Sequence, residues 1–223
     1  MNLQYVSASK TIDPHHSKFI QTLCKQLDTS ATIIPKVDKW ERLNSQGDWL
    51  ISRSEDFLNK PSILNYWRIN EQEEQARGPH MVIPNDHLPE RVNNVLLAYS
   101  SYPKVEETFL RIGMDLALRF QAHLHCLKIV QPPQNLWSKR EYDIAKGQKC
   151  YETIVTHKSI SSGVLEYAND YDIDLICLLT RPWLDHEKEY SSSHSLKILR
   201  NSSRPVLLFR EDDVQKLKMK IGA

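Results

Sequence analysis

The chain has 223 residues, with 29 lysines and arginines against 28 aspartates and glutamates, for a formal net charge of +1. Charges this evenly matched give no overall field to recruit nucleic acid or an anionic membrane, and no apolar run approaches the roughly 20 residues that span a bilayer. Residues 1–10 lack the basic start and apolar centre of a signal peptide, and Cys24, Cys126, Cys150 and Cys177 show no CxxC spacing, so a soluble, reduced, cytoplasmic protein without membrane insertion is expected.

Residues 2–8 form a short apolar pattern that fits a strand. Asp13 and Pro14 open a helix over 15–27, in which Phe19, Leu23 and Leu27 recur every fourth residue and so share one face. Residues 31–37 predict a strand broken by Pro35, and a proline there points to an edge or a bulge. Gly47 and Asp48 form a turn before a strand at Trp49, Leu50 and Ile51. Lys60-Pro61-Ser62 predicts the start of a helix running to Gln75, with Glu71, Glu73 and Glu74 as its solvated face. Arg77-Gly78-Pro79 ends it before a short strand at 80–84.

Residues 85–94 are polar around Pro89 and are expected to be a linker. A strand follows at 95–98, then Pro103, Glu106 and Glu107 mark a helix start, because proline suits the first turn and negative charge is favoured there. Val105, Phe109, Ile112, Leu116 and Phe120 place one apolar stripe along that helix. Residues 123–130 predict a strand ended by Pro132-Pro133, 137–145 a short helix, and 151–156 another strand. Ser161 is expected to cap a helix carrying Val164, Leu165 and Ala168.

The most informative stretch is 170–210. Leu175, Ile176, Cys177, Leu178 and Leu179 form one apolar run, and Pro205, Val206, Leu207, Leu208 and Phe209 form a second. Short continuous apolar runs fit strands buried on both faces. Between them Ser191-Ser192-Ser193 precedes a short helix with Leu196, Ile198 and Leu199. Strand, loop, helix and strand make a βαβ unit, whose loop is where such a fold holds a ligand. Strands alternating with helices predict a parallel sheet with right-handed crossovers.

The second half resembles a universal stress protein domain over about residues 91–210. The resemblance rests on Val95-Leu96-Leu97-Ala98, on Asp174-Leu175-Ile176, and on Lys197-Ile198-Leu199-Arg200 leading to Arg204-Pro205-Val206-Leu207-Leu208. The first half resembles a shortened copy: Gly78-Pro79-His80-Met81-Val82-Ile83-Pro84 is similar to the family's last strand, and Gly47-Asp48-Trp49-Leu50-Ile51 would be its fourth. The resemblance implies an α/β fold of two Rossmann-like domains, 1–88 and 89–223, with mainly parallel sheets flanked by helices. Four strands are expected in the first, where one βα unit is missing, and five in the second.

Many members of that family bind ATP through two glycines three apart, then about nine residues, then Gly-Ser or Gly-Thr at a helix start, where backbone amides meet the phosphates. Counted back from Pro205, those positions are Leu179, Pro182 and Ser192, with Ser193 as the retained hydroxyl. All three glycines are absent, and Pro182 also removes an N–H donor. The acidic residue that usually ends the family's first strand is here Ser100. The cofactor-binding candidates are therefore Ser100, Pro182, Ser192 and Ser193, although a serine at a helix start is also an ordinary N-cap.

Two weaker candidates exist for a metal. His123 and His125 face the same side of a strand without an identifiable third ligand, and Asp185, His186, Glu187 and Glu189 form a charged loop that solvent explains as well. Trp183 is a candidate partner contact. No nucleophile elbow such as GxSxG is present, and no catalytic residue is assigned.

The expected function is a non-catalytic regulatory or stress-response interaction protein with a degenerate nucleotide site and no cofactor, working through a protein partner or self-association. The alternative is a switch that binds ATP or AMP weakly through altered phosphate contacts.

Overall fold

The computed structural model describes residues 3–7, 12–35, 49–53, 79–84, 88–99, 103–133, 135–145, 147–180 and 194–210. The first half contributes strands β1 (Leu3–Ser7), β2 (Ala31–Pro35), β3 (Trp49–Arg53) and β4 (His80–Ile83), with helix α1 (Pro14–Gln26). The second contributes β5 (Asn94–Tyr99), α2 (Pro103–Phe120), β6 (His123–Val130), β7 (Trp137–Ala145), β8 (Gln148–Thr156), α3 (Ile160–Asp170), β9 (Leu175–Thr180), α4 (His194–Asn201) and β10 (Val206–Arg210).

All ten strands belong to one sheet, in the order β2-β1-β3-β4-β10-β9-β5-β6-β8-β7. The expectation of two separate sheets is corrected here. The halves join where β4 and β10 pair antiparallel, with Val82 opposite Val206, Met81 opposite Leu207 and His80 opposite Leu208. The physical reason is the cost of a bare edge: an unpaired apolar strand exposes a row of N–H and C=O groups, and pairing satisfies both rows at once. Away from this seam and the β7–β8 pair the ladders are parallel. The order β2-β1-β3-β4 in the first half matches β6-β5-β9-β10 in the second.

Alternation along the central strands divides the core into two layers. Val95, Leu97, Leu175, Cys177, Leu207 and Phe209 point to one face, with Phe19 and Leu23 of α1 and Phe109, Leu116 and Phe120 of α2. Leu96, Ala98, Ile176, Leu178, Val206 and Leu208 point to the other, with Val164 and Tyr167 of α3 and Leu196, Ile198 and Leu199 of α4. The continuous apolar runs of the sequence are thus strands covered on both faces. On the first face one cluster includes residues of both halves, and Gln26 of α1 reinforces the contact: its Nε2 donates to the carbonyls of Val92 and Phe120, and its Oε1 accepts from the Val92 amide. At Gly113 of α2 an added Cβ would lie 2.9 Å from a Leu97 methyl, so the glycine sets how closely that helix approaches β5.

Three local expectations hold and two change. Asp13 caps α1, its carboxylate accepting from the His15 amide at 2.8 Å. Pro35 ends β2, which is an edge strand. The stripe of α2 is buried at Phe109, Leu116 and Phe120. Residues 137–145 are a strand, not a helix: β7 pairs antiparallel with β8, which brings the second half to six strands. The two-residue connection contains Gly147 at φ +76, a backbone that glycine adopts without steric cost. The cap of α3 is Ser159, whose side chain accepts from the Ser162 amide at 3.3 Å. Ser161, the second residue of the helix, is buried and shares a hydrogen bond with the Ser159 hydroxyl. The helix expected over 60–75 lies outside the described residues.

Phe109 is 1% exposed and meets Phe209 edge-on, with ring centroids 5.7 Å apart. Replacing it by alanine removes both the burial and the ring pair, so Phe109→Ala should lower stability by about 3–5 kcal/mol in denaturant melts. A loss below about 1 kcal/mol would contradict this packing.

Candidate functional site

In the second half the chain moves from β5 to β6 and β8 on one side, then returns across β5 to β9 and β10 on the other. The crevice at the carboxyl ends of β5 and β9 is therefore the point where strand order reverses, the usual ligand position in an open α/β sheet. The last register pair of these strands is Ala98 with Leu178, and Tyr99 and Leu179 follow it. Both side chains are partly buried and pack against the first-face core. Thr180 is buried next to them and donates from Oγ1 to the Phe209 carbonyl at 3.1 Å. Arg210, the register partner of Thr180 on β10, is 6% exposed. His194 begins α4, and partial burial together with the Lys197 charge holds its imidazole below the usual range.

The amino ends of the same two strands are tied together by Asp174. Its carboxylate accepts from the Asn93 amide at 2.8 Å and the Asn94 amide at 2.9 Å. Burial pushes that carboxyl above its ordinary range, against the pull of the two amides and of Arg204. Asp174 thus fixes β5 against β9 at the end opposite the crevice.

No family model and no curated protein sequence matches this chain. Solved structures do. A universal stress protein from Archaeoglobus fulgidus superposes with a TM-score of 0.58 at 12% identity, covering 95% of this chain and 87% of its own. A Pseudomonas aeruginosa PAO1 protein of unknown function gives 0.56 at 12% identity over 99% of this chain and 85% of its own. The fold is that of the universal stress proteins.

Of the cofactor-binding candidates taken from the sequence, Ser100, Pro182, Ser192 and Ser193 lie outside the described residues. So do Trp183, Asp185, His186, Glu187 and Glu189. Leu179, which the sequence comparison aligns with the first glycine of the motif, is described, and it packs against the first-face core, as does Tyr99. That pairing was not foreseen. Its signal was present in Tyr99, which ends β5, and in Leu179, one residue before the end of the adjacent β9.

His123 and His125 do share one face of β6, as the alternation predicts, but each ring already has a partner. His123 accepts from the Lys149 amide through Nδ1 at 3.1 Å, and His125 Nδ1 meets the Tyr167 hydroxyl at 3.1 Å. His125 is buried among Tyr151, Tyr167 and Tyr171, and Lys139 of β7 places its ammonium 4.4 Å from the Tyr171 ring centre and 5.2 Å from that of Tyr151. This cluster depends on β7 being a strand, which is why the sequence did not reveal it. Among the described residues no group of three His, Cys, Asp or Glu side chains is arranged to hold a metal.

Burial, with smaller contributions from the Lys139 and His123 charges, lowers the His125 imidazole to about 4. Burial alone lowers His80 of the seam to about 3, where its Nε2 lies 2.8 Å from the Ser52 hydroxyl. The unfolded chain, with histidines near 6.5, takes up these protons first. The contribution to stability is therefore full above about pH 6.5 and is lost as the pH falls toward 4. Urea melts at pH 7 and pH 4.5 should differ by about 2–3 kcal/mol on account of His125 alone. His125→Phe should flatten the slope, while Tyr167 keeps its 3.1 Å contact with the Thr153 hydroxyl.

Proposed function

We propose that this chain is a non-catalytic regulatory protein of the universal-stress type, working in the cytoplasm through protein contacts, with a nucleotide crevice that no longer cradles a triphosphate. The observation that supports this reading is bulk at the carboxyl ends of two adjacent strands. Tyr99 and Leu179 pack against the core at the carboxyl ends of β5 and β9, where phosphate binding needs bare backbone amides to converge. The sequence adds Pro182, which has no N–H, and Ser192 in place of the third glycine.

The magnitudes agree with loss of the nucleotide. Two or three charge-assisted hydrogen bonds at about 1.5–3 kcal/mol each separate tight binding from none at micromolar ligand. The hydroxyls of Ser192 and Ser193 restore one such contact at most, which is too little to offset the loss.

In the same reading the chain is a shortened universal-stress domain (1–88) followed by a complete one (89–223). The matching strand orders and the β4–β10 seam support it, since two such copies meet through their last strands. The contact surface is offered by β7, an edge strand on which Trp137 is 74% exposed, and tryptophan is enriched among residues that dominate interface energies.

Calorimetry with ATP and magnesium should show no binding at micromolar nucleotide, and protein denatured after purification should release no ATP, ADP or AMP. A micromolar or tighter dissociation constant, abolished when Ser192 and Ser193 are replaced by bulky residues, would establish the alternative, an adenine-nucleotide switch.

A further inference from the structure

On the face of the sheet opposite His125, two thiols meet across neighbouring strands. Cys126 of β6 and Cys150 of β8 are each 1% exposed, and their sulfurs are 3.8 Å apart. In the parallel ladder Cys150 stands opposite Leu124 and Cys126 opposite Glu152, so the cysteines are diagonal neighbours, two residues out of step. Tyr142 of β7 stands directly opposite Cys150 in the antiparallel ladder, so its side chain lies on the same face, and it is 48% exposed.

The diagonal decides what chemistry this pair suits. Ordinary strand spacing and rise put diagonal Cα atoms about 8 Å apart, beyond the roughly 7 Å that a disulfide closes without backbone movement. Sulfurs that both ligate one metal ion stand farther apart than in a disulfide. With bonds of about 2.3 Å they are separated by about 3.8 Å at a tetrahedral angle and about 4.6 Å when collinear. The observed 3.8 Å lies in that range, so an ion fits between them with sulfur shifts below about 1 Å.

The donor set narrows the ion. Among the described residues no third His, Cys, Asp or Glu completes a metal group, whereas zinc and iron sites take four protein ligands or three with a water. Two soft thiolates without a third ligand select a soft monovalent ion. We propose that Cys126 and Cys150 form a two-coordinate site for a soft monovalent metal ion of the Cu(I) class, with Tyr142 as its outer hydrogen-bond donor and cover.

Binding forms two metal–sulfur bonds and releases two thiol protons to solvent, leaving a bis-thiolate with one net negative charge. No oxidant or reductant takes part. The Cys150 thiol is held below its ordinary range chiefly by its hydrogen bond with Cys126, against the opposing effect of burial. Cys126 is pushed up by its bond to Cys150 and by burial, so its proton is the one the metal must displace. Arg140 stands opposite Glu152 in the β7–β8 ladder.

The test is an anaerobic titration of the full chain with Cu(I) buffered by a competing chelator. One equivalent should bind, with affinity falling between pH 8 and pH 6 as the thiols regain protons. Cys126→Ser and Cys150→Ser should each abolish it, while Cys24→Ser and Cys177→Ser should leave it intact. Tyr142→Phe keeps both thiols and should weaken binding about 10-fold or more. Circular dichroism identifies any variant that fails to fold, and for such a variant the Tyr142→Phe result decides. Binding that survives Cys126→Ser or Cys150→Ser in a folded protein would overturn the site. So would less than one equivalent in the native chain, an unchanged affinity in folded Tyr142→Phe, or ready formation of a Cys126–Cys150 disulfide with peroxide, seen as a 2 Da mass loss (about two hydrogens).

Discussion

The antiparallel pairing of β4 with β10 is the constraint on which the rest of the architecture depends. Each of these strands is the last of its half, each is apolar, and each would otherwise leave a long unpaired edge. Joining them gives one ten-stranded sheet, and α1 and α2 then cover a common face on which Phe19 and Leu23 share a cluster with Phe109 and Phe120. The buried His80, held neutral beside Ser52, sits within this seam. A polar side chain there tolerates burial because it is hydrogen-bonded and uncharged.

The central pair β5–β9 carries the other half of the logic. Asp174 locks the amino ends by accepting two backbone amides, and the strands then run in register to the carboxyl crevice. In an open sheet this geometry offers a ligand position without specifying a ligand. Among the described residues, Tyr99 and Leu179 stand at this end of the two strands and pack against the core. The sheet is held by apolar runs, whereas a site of this kind is made by a few residues beyond their ends.

The far edge shows a third feature. β7 lies antiparallel on β8 and adds aromatic and charged side chains to both faces: Lys139 over Tyr151 and Tyr171 on one, Tyr142 over Cys150 on the other. Lys149 of β8 and Glu141 of β7 form an ion pair across the same hairpin. Such an exposed pair adds little stability; the hairpin rests on its ladder and its Gly147 turn.

The sequence by itself determined the parts of the fold that depend on local pattern. The apolar runs at 175–179 and 205–209 pointed to strands buried on both faces, the stripe from Phe109 to Phe120 to a helix on the sheet, and Pro35 to an edge or a bulge, of which the edge is found. These follow from periodicity and backbone chemistry, which neighbouring residues fix without outside help. Residues 137–145 were misread because their charges give no clear period and their strand state comes from pairing with β8. Only the tertiary structure decided that the two halves share a sheet, that Tyr99 and Leu179 stand at the same end of two adjacent strands, and that Cys126 lies beside Cys150. Each of these depends on strand register, which joins residues far apart in the chain and leaves no trace in local spacing.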